Sequence, residues 1–180
     1  MKKILVTAGG TSEHIDDVRV IANLSTGVLG AFIADELAGE YKAAVTFVCG
    51  AHSVLPSGGK IKIIKIGGAA DLQKTLFALL KKEKFDAVIH AMAVSDYAPV
   101  KKAGKISSGG KTLTLTLKRT PKIISSIKKL APETFLVGFK LLSNVSEKEL
   151  LKKAVITDYL DLARIAGRVE GWTCGSLAVE

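Results

Sequence analysis

Short runs of β-branched and aliphatic residues alternate along the chain with longer stretches in which leucine, isoleucine and alanine return every third or fourth position. The runs at residues 2–7, 43–49, 60–66, 86–92 and 134–139 have the nearly continuous apolar character of strands covered on both faces. Between them, residues 27–37, 69–82 and 121–130 carry helical periodicity. Such alternation is the pattern of βαβ units, and it predicts a mostly parallel sheet with helices packed on it. Residues 112–118, TLTLTLK, are different: polar and apolar positions alternate strictly, which predicts a strand with one wet face pairing antiparallel beside the main sheet. Residues 56–59 and 101–110 are rich in serine, glycine and lysine and read as mobile loops. No repeat or linker divides the chain, so a single domain is expected over 1–180.

Composition narrows the class. A chain of 180 residues with 48% hydrophobic and 24% charged residues can bury a core, which excludes wholesale disorder. No stretch of 18 uninterrupted apolar residues occurs, and Met1-Lys2-Lys3 leads into a short strand pattern in place of a signal-peptide core. A cytoplasmic protein with no membrane partner is expected. Cys49 and Cys174 cannot build a disulfide framework or a thiolate metal site, and His14, His52 and His90 lack ligand spacing, so no protein-built metal site is expected. The net charge of +9 rests on 22 lysines and four arginines spread along the chain, which favours a polyanionic ligand. With 6% aromatics and no aromatic-basic interleaving, nucleic acid is the poorer choice; a nucleoside triphosphate or a phosphorylated metabolite fits.

The candidate chemistry gathers in GGTSEHIDDVRVIANLSTGVLG, from Gly9 to Gly30. After a first strand, Gly9 and Gly10 permit a tight turn whose N–H groups could cradle an anion, although a plain flexible loop reads the same way. Asn23, Ser25 and Thr26 then precede Gly27 and a helical stretch, placing donors at a helix N-terminus; simple capping by Ser25 or Thr26 is the alternative. An arginine and an asparagine in the same connection are harder to explain as capping alone; from the residues themselves Arg19 reads as a surface ion pair with Asp16 or Asp17.

This pattern resembles the signature of the phosphopantothenate–cysteine ligase family. AVSDY at 93–97, GKISS at 104–108, RTPKII at 119–124 and VGFK at 137–140 follow in that family's order, so the resemblance covers about residues 2 to 154, and the chain resembles the stand-alone, CTP-using bacterial form. It implies a Rossmann-like three-layer α/β/α fold and a ligase of coenzyme A biosynthesis that joins 4'-phosphopantothenate to L-cysteine. CTP and Mg²⁺ would be required, the intermediate would be an acyl-cytidylate, and the enzyme would be a homodimer. Residue by residue, the resemblance assigns phosphates to Gly9, Gly10, Thr11, Ser25 and Gly27, and turnover of the acyl-cytidylate to Asn23. Arg19 would reach the substrate phosphate across the dimer. Asp96 would bind the nucleotide, with Met92 and Ala93 at neighbouring binding positions, Lys105 on a mobile loop closing over the triphosphate, and Phe139 on the nucleotide side. Without the resemblance, Asp96 reads as a turn residue before Pro99, Lys105 as a solvated lysine and Phe139 as core.

The chain also departs from the family. Leu24 stands where members usually have histidine, and residues 155–180 read as an atypical or incomplete C-terminal part. There Lys152 or Lys153 would stand for a CTP-contacting lysine, and Asp161-Leu162 for the remnant of an Ala-Asn-Asp tripeptide. Two rival readings follow from the residues. Tyr97-Ala98-Pro99-Val100-Lys101 is a literal Tyr-x-x-x-Lys of short-chain dehydrogenases, opposed by Pro99, by the missing later glycines and by the lack of a ribose-binding acid after the second strand. A non-catalytic nucleotide- or nucleic-acid-binding module would use the same lysines without Asn23.

Overall fold

A computed structural model of the chain describes residues 1–139 and 177–179. Its centre is a six-stranded sheet of order β10-β9-β6-β1-β4-β5. β1 (Lys3–Ala8), β4 (Ala44–Gly50), β5 (Lys62–Ile66), β6 (Ala87–His90) and β9 (Phe135–Phe139) run parallel, and β10 (Leu177–Val179) closes one edge antiparallel to β9. Successive residues of a strand face opposite sides, so Leu5 and Val6 feed two different cores. Leu5, Val48, Val88 and Leu136 pack with Leu72 and Leu76 of α2 (Ala69–Lys82) and with Ile123 and Ile127 of α3 (Ile123–Leu130). On the other side Val6, Phe47, Ile89 and Val137 pack with Ile33, Ala34 and Leu37 of α1 (Val28–Gly39). The expected three-layer α/β/α arrangement is thus present, with strand and helix bounds within two residues of the periodicity except where noted below.

Helix seating depends on contacts that local periodicity does not contain. Gly30 lets α1 lie against β1, because a Cβ there would stand 2.4 Å from the Ala8 Cβ. α2 begins at Gly68, which has no side chain to cap it; the buried Glu13 carboxylate reaches across and accepts the Ala69 N–H at 2.7 Å. Negative charge at that helix start and Lys81 and Lys82 in the last turn both oppose the helix dipole.

Two small antiparallel sheets stand outside the main one. β2 (Ser12–His14) pairs with β3 (Val20–Ala22), and β7 (Tyr97–Pro99) with β8 (Leu117–Arg119). The strand predicted over 112–118 is antiparallel and stands beside the main sheet, paired with β7, but its extent is corrected: it starts only at Leu117. β7 offers three residues, and after Val100, whose N–H donates to the Thr116 carbonyl at 3.0 Å, the chain turns away and leaves residues 112–115 without a ladder partner among the described residues. Alternation marks a possible strand face, whereas a ladder needs a neighbour. Tyr97 in a strand also removes the helix on which a dehydrogenase would present its tyrosine and lysine.

Inside the sheet, Thr7 Oγ1 and His90 Nδ1 lie 2.8 Å apart. Burial, with the Lys122 charge adding to it, pushes the His90 pKa down to about 4, so the imidazole is neutral at physiological pH.

Two outcomes follow for stability. Gly30→Ala gains helix propensity worth at most about 1 kcal/mol but forces the Ala8 contact, and a net destabilisation of about 1–2 kcal/mol should appear in urea unfolding. For His90, the unfolded chain takes up its proton near the ordinary value of 6.5 and the folded chain only near 4. Stability is therefore full above about pH 6.5 and falls as the pH drops toward 4, because the unfolded state then binds more protons. Urea midpoints at pH 7 and pH 5 should show that loss in the parent protein and a flatter dependence in His90→Gln.

Candidate functional site

After β1 the chain works outward through β4 and β5, then returns to β6 on the other side of β1. The carboxyl ends of β1 and β6 therefore flank the switch point of the sheet, where open α/β folds bind ligands. Three segments converge there almost backbone to backbone. Gly10 bridges Ala93; the Ala93 N–H donates to the Gly9 carbonyl at 2.8 Å and the Thr11 N–H to the Ala93 carbonyl at 3.1 Å. Gly9 and Gly27 hold φ of 79° and 81°, and a Cβ on Gly10 would meet the Asn23 carbonyl at 2.6 Å. Only glycine fits so close a crossing.

Side chains lock the crossing. Thr11 is buried, and its Oγ1 accepts the Ser95 N–H at 2.9 Å and bonds the Ser95 hydroxyl at 2.9 Å. Asn23 Nδ2 donates to the Ala93 carbonyl at 3.1 Å and to Ser95 Oγ at 3.2 Å. Because a carbonyl only accepts, the orientation of the carboxamide is fixed; its Oδ1 has no hydrogen-bond partner among the described residues. Ser25 and Thr26 are exposed and neither caps α1, which starts from Gly27 without a side-chain cap. The capping role open to them in the sequence is not the one they take.

Arg19 takes the ion pair with Asp16, but this is not the surface pair expected, because the carboxylate is buried. Its Nε and Nη2 donate to Asp16 Oδ2 at 2.9 and 2.5 Å, and Nη2 also reaches the Ile106 carbonyl at 2.6 Å. Asp16 is buried, and the Arg19 hydrogen bonds, helped by backbone N–H donors, outweigh burial and hold its carboxyl well below the usual carboxylate range. Asp17, paired with Lys101 at 2.9 Å, is lowered as well. Lys105 is exposed and lies in the segment these carboxylates hold, so the loop expected at 101–110 is irregular yet tied over 101–106.

Asp96 is exposed at the crevice and pairs with Lys122 at 3.0 Å, while its carbonyl accepts the Thr120 N–H at 2.9 Å. The AVSDY and RTPKII segments are thereby stitched together. Met92 is buried in the core beneath α2 and α3, and Phe139 is half-buried against the core on the α1 side. Lys152, Lys153 and Cys174 lie outside the described residues. The structure thus brings Gly9, Gly10, Thr11, Asn23, Gly27 and Ala93 together, with Asp96 linked to them through Ser95; Arg19 and Lys105 form a second group around Asp16. Ser95 and Lys122 carry no assignment in the sequence reading, where Asp16 figures only as an ion-pair alternative for Arg19. Ser95 stood legible in AVSDY as a hydroxyl beside Asp96, whereas nothing in the sequence joins Lys122 to a residue 26 positions earlier. Among the described residues no helix is long and apolar enough to cross a membrane, and no three His, Cys, Asp or Glu side chains cluster to hold a metal.

Comparison with known proteins gives this geometry its context. Residues 1–161 match the DNA/pantothenate metabolism flavoprotein C-terminal domain model. The chain is 39% identical over 153 residues to the coenzyme A biosynthesis bifunctional protein CoaBC of Thermococcus kodakarensis, covering 85% of this chain and 37% of that one. It is 35% identical to the CoaBC of Methanocaldococcus jannaschii, over 84% of this chain and 36% of that one. The chain spans a little over one third of the length of these relatives. Among solved structures, the DNA/pantothenate metabolism flavoprotein from Streptococcus pneumoniae superposes with a TM-score of 0.77 at 36% identity, covering 84% of this chain and 75% of that one. By motif, fold and match alike, the chain belongs to the DNA/pantothenate metabolism flavoprotein C-terminal domain family, the phosphopantothenate–cysteine ligase family.

Proposed function

We propose that the chain joins 4'-phosphopantothenate to L-cysteine with CTP as a cytoplasmic homodimer. In the first half-reaction the substrate carboxylate attacks the α-phosphorus of CTP and pyrophosphate leaves. In the second, the cysteine amine attacks the acyl carbon of the mixed anhydride, CMP leaves with the bonding electrons, and the amine proton passes to solvent. Neither half needs a nucleophile from the protein. Both need anions brought together and their charge offset, which suits preorganised donors and a net charge of +9.

The observation that carries this reading is the Asn23 carboxamide held at the switch point by Ala93 and Ser95. A neutral amide can stabilise the reacting acyl group without protonating the incoming amine. Its longer bond, to Ser95 Oγ, is the one it can exchange for substrate, since Ser95 keeps Thr11 as a partner. Gly10, Ser25 and Gly27 would receive phosphates at the start of α1, with Gly9 and Thr11 shaping that turn. Asp96 would leave Lys122 for the ribose hydroxyls, and Phe139 and Lys152 would complete the nucleotide side. Met92 and Ala93 would line the substrate, whose phosphate falls to Arg19 across the dimer. That dimer is supported by Val18, Val20, Ile21 and Leu24, exposed around Arg19. Lys105 would cover the triphosphate. Mg²⁺ fits as part of the nucleotide, since its octahedral shell is filled largely by phosphate oxygens and water; the described residues offer it no cage of their own.

Pyrophosphate release from CTP with phosphopantothenate alone, followed by product on adding cysteine, tests the reading; no release would overturn it. Asn23→Asp places a carboxylate oxygen against the Ala93 carbonyl, and it should keep CTP binding while slowing ligation by about 10²-fold or more. Normal turnover by that variant would remove the role given to the amide.

A further inference from the structure

We infer that Asp16 is a positioning residue of the ligation site, a buried carboxylate that fixes Arg19 and the segment bearing Lys105 as one unit. The inference rests on the proposed roles of Arg19 and Lys105, and begins from an expense those roles do not explain. A carboxylate removed from water is costly unless its oxygens are fully used. Asp16 is 0% exposed, and both of its oxygens are used. Oδ1 accepts the N–H groups of Val18 at 2.9 Å and Arg19 at 2.8 Å, which closes the local turn. Oδ2 takes the Arg19 guanidinium and, at 3.0 Å, the N–H of Ile106, 90 positions away.

A local turn needs only the first pair of bonds. The second oxygen makes a cross-link, and Arg19 completes it by donating to the Ile106 carbonyl. Asp17 repeats the device one residue later: Gly104 N–H donates to its Oδ2 at 2.8 Å, its own N–H donates to the Gly104 carbonyl at 3.2 Å, and the Lys102 N–H reaches the Ile15 carbonyl at 3.0 Å. Gly104 and Ile106 are therefore held on either side of Lys105, whose exposed side chain is left to point outward. Holding the base of a long flexible side chain reduces the freedom it must lose when it meets an anion. The two cations are set together, because one carboxylate oxygen holds both the Arg19 guanidinium and the Ile106 N–H next to Lys105.

Amide exchange and a double-mutant cycle test this on the full chain. In Asp16→Asn, the amides of Gly104 and Ile106 should exchange about tenfold faster or more, while those of β1 and β4 stay protected. In kinetics, Asp16→Asn should lower kcat by about tenfold in the parent background and by about threefold or less in Lys105→Ala, where only the placing of Arg19 is still to be lost. Asp17→Ala, at an exposed carboxylate, should give the same signs with smaller amplitude, and its cycle with Lys105→Ala decides the matter if Asp16→Asn misfolds. Unchanged exchange at both amides, or losses that multiply across the cycle, would overturn the inference. Absence of ligation by the parent chain would instead sink the proposed reaction and leave the exchange result to judge the cross-link.

Discussion

The structure turns on one close approach: the first turn after β1 lies directly against the chain leaving β6. The Gly10–Ala93 bridge continues the parallel sheet by one rung past its strands, and everything near it yields side-chain volume to make room. A Cβ on Gly9 would sit 1.7 Å from Ser53 Oγ, and one on Gly50 would sit 2.2 Å from the Gly10 carbonyl. Because this crossing is built from backbone, the polar side chains that decorate it, Thr11, Asn23 and Ser95, have fixed partners and fixed directions. A site of this kind is rigid before any ligand enters, which is the condition under which dipoles stabilise developing charge most effectively.

Charge is distributed to match. Around the crossing the chain uses neutral groups, with His90 kept uncharged beneath the strand ends by burial. Cations stand further out, on Arg19, Lys105 and Lys122, where water still lowers the cost of holding them. Two of these three, Arg19 and Lys122, are paired with aspartates. Pairing limits how far an arginine or lysine wanders, and an anionic ligand can take over such a partnership without first ordering a free side chain. The Asp16–Arg19 pair is the stronger of the two, being buried on the carboxylate side, and the Asp96–Lys122 pair is largely exposed and easily exchanged.

The helices answer to the same crossing. α1 begins at Gly27, beside Gly9, and lies close to β1 through Gly30, so its N-terminus is aimed at the crevice by glycines at both contacts. α2 is tied to the hairpin by Glu13, which makes the β2–β3 arm part of the domain and holds the turn bearing Arg19 in register with the sheet. Relatives that share this plan include CoaBC proteins, of which the chain matches a little over a third.

Periodicity revealed the parallel strands and all three described helices because burial on one or two faces is written into neighbouring residues. It failed at 112–116, where alternation was present but the facing described chain offers no more than the Val100 N–H, and at β2 and β3, whose three residues each are too few to show a period. The glycine pair and Asn23 were legible as candidates because their chemistry is local. By itself, then, the sequence determined the layered α/β plan and the residue types available at its first turn. Tertiary structure alone decided which of them meet: Asn23 with Ser95, Asp96 with Lys122, Asp16 with Ile106. Those pairs are 72, 26 and 90 positions apart, and only the folding of the sheet brings them within a hydrogen bond.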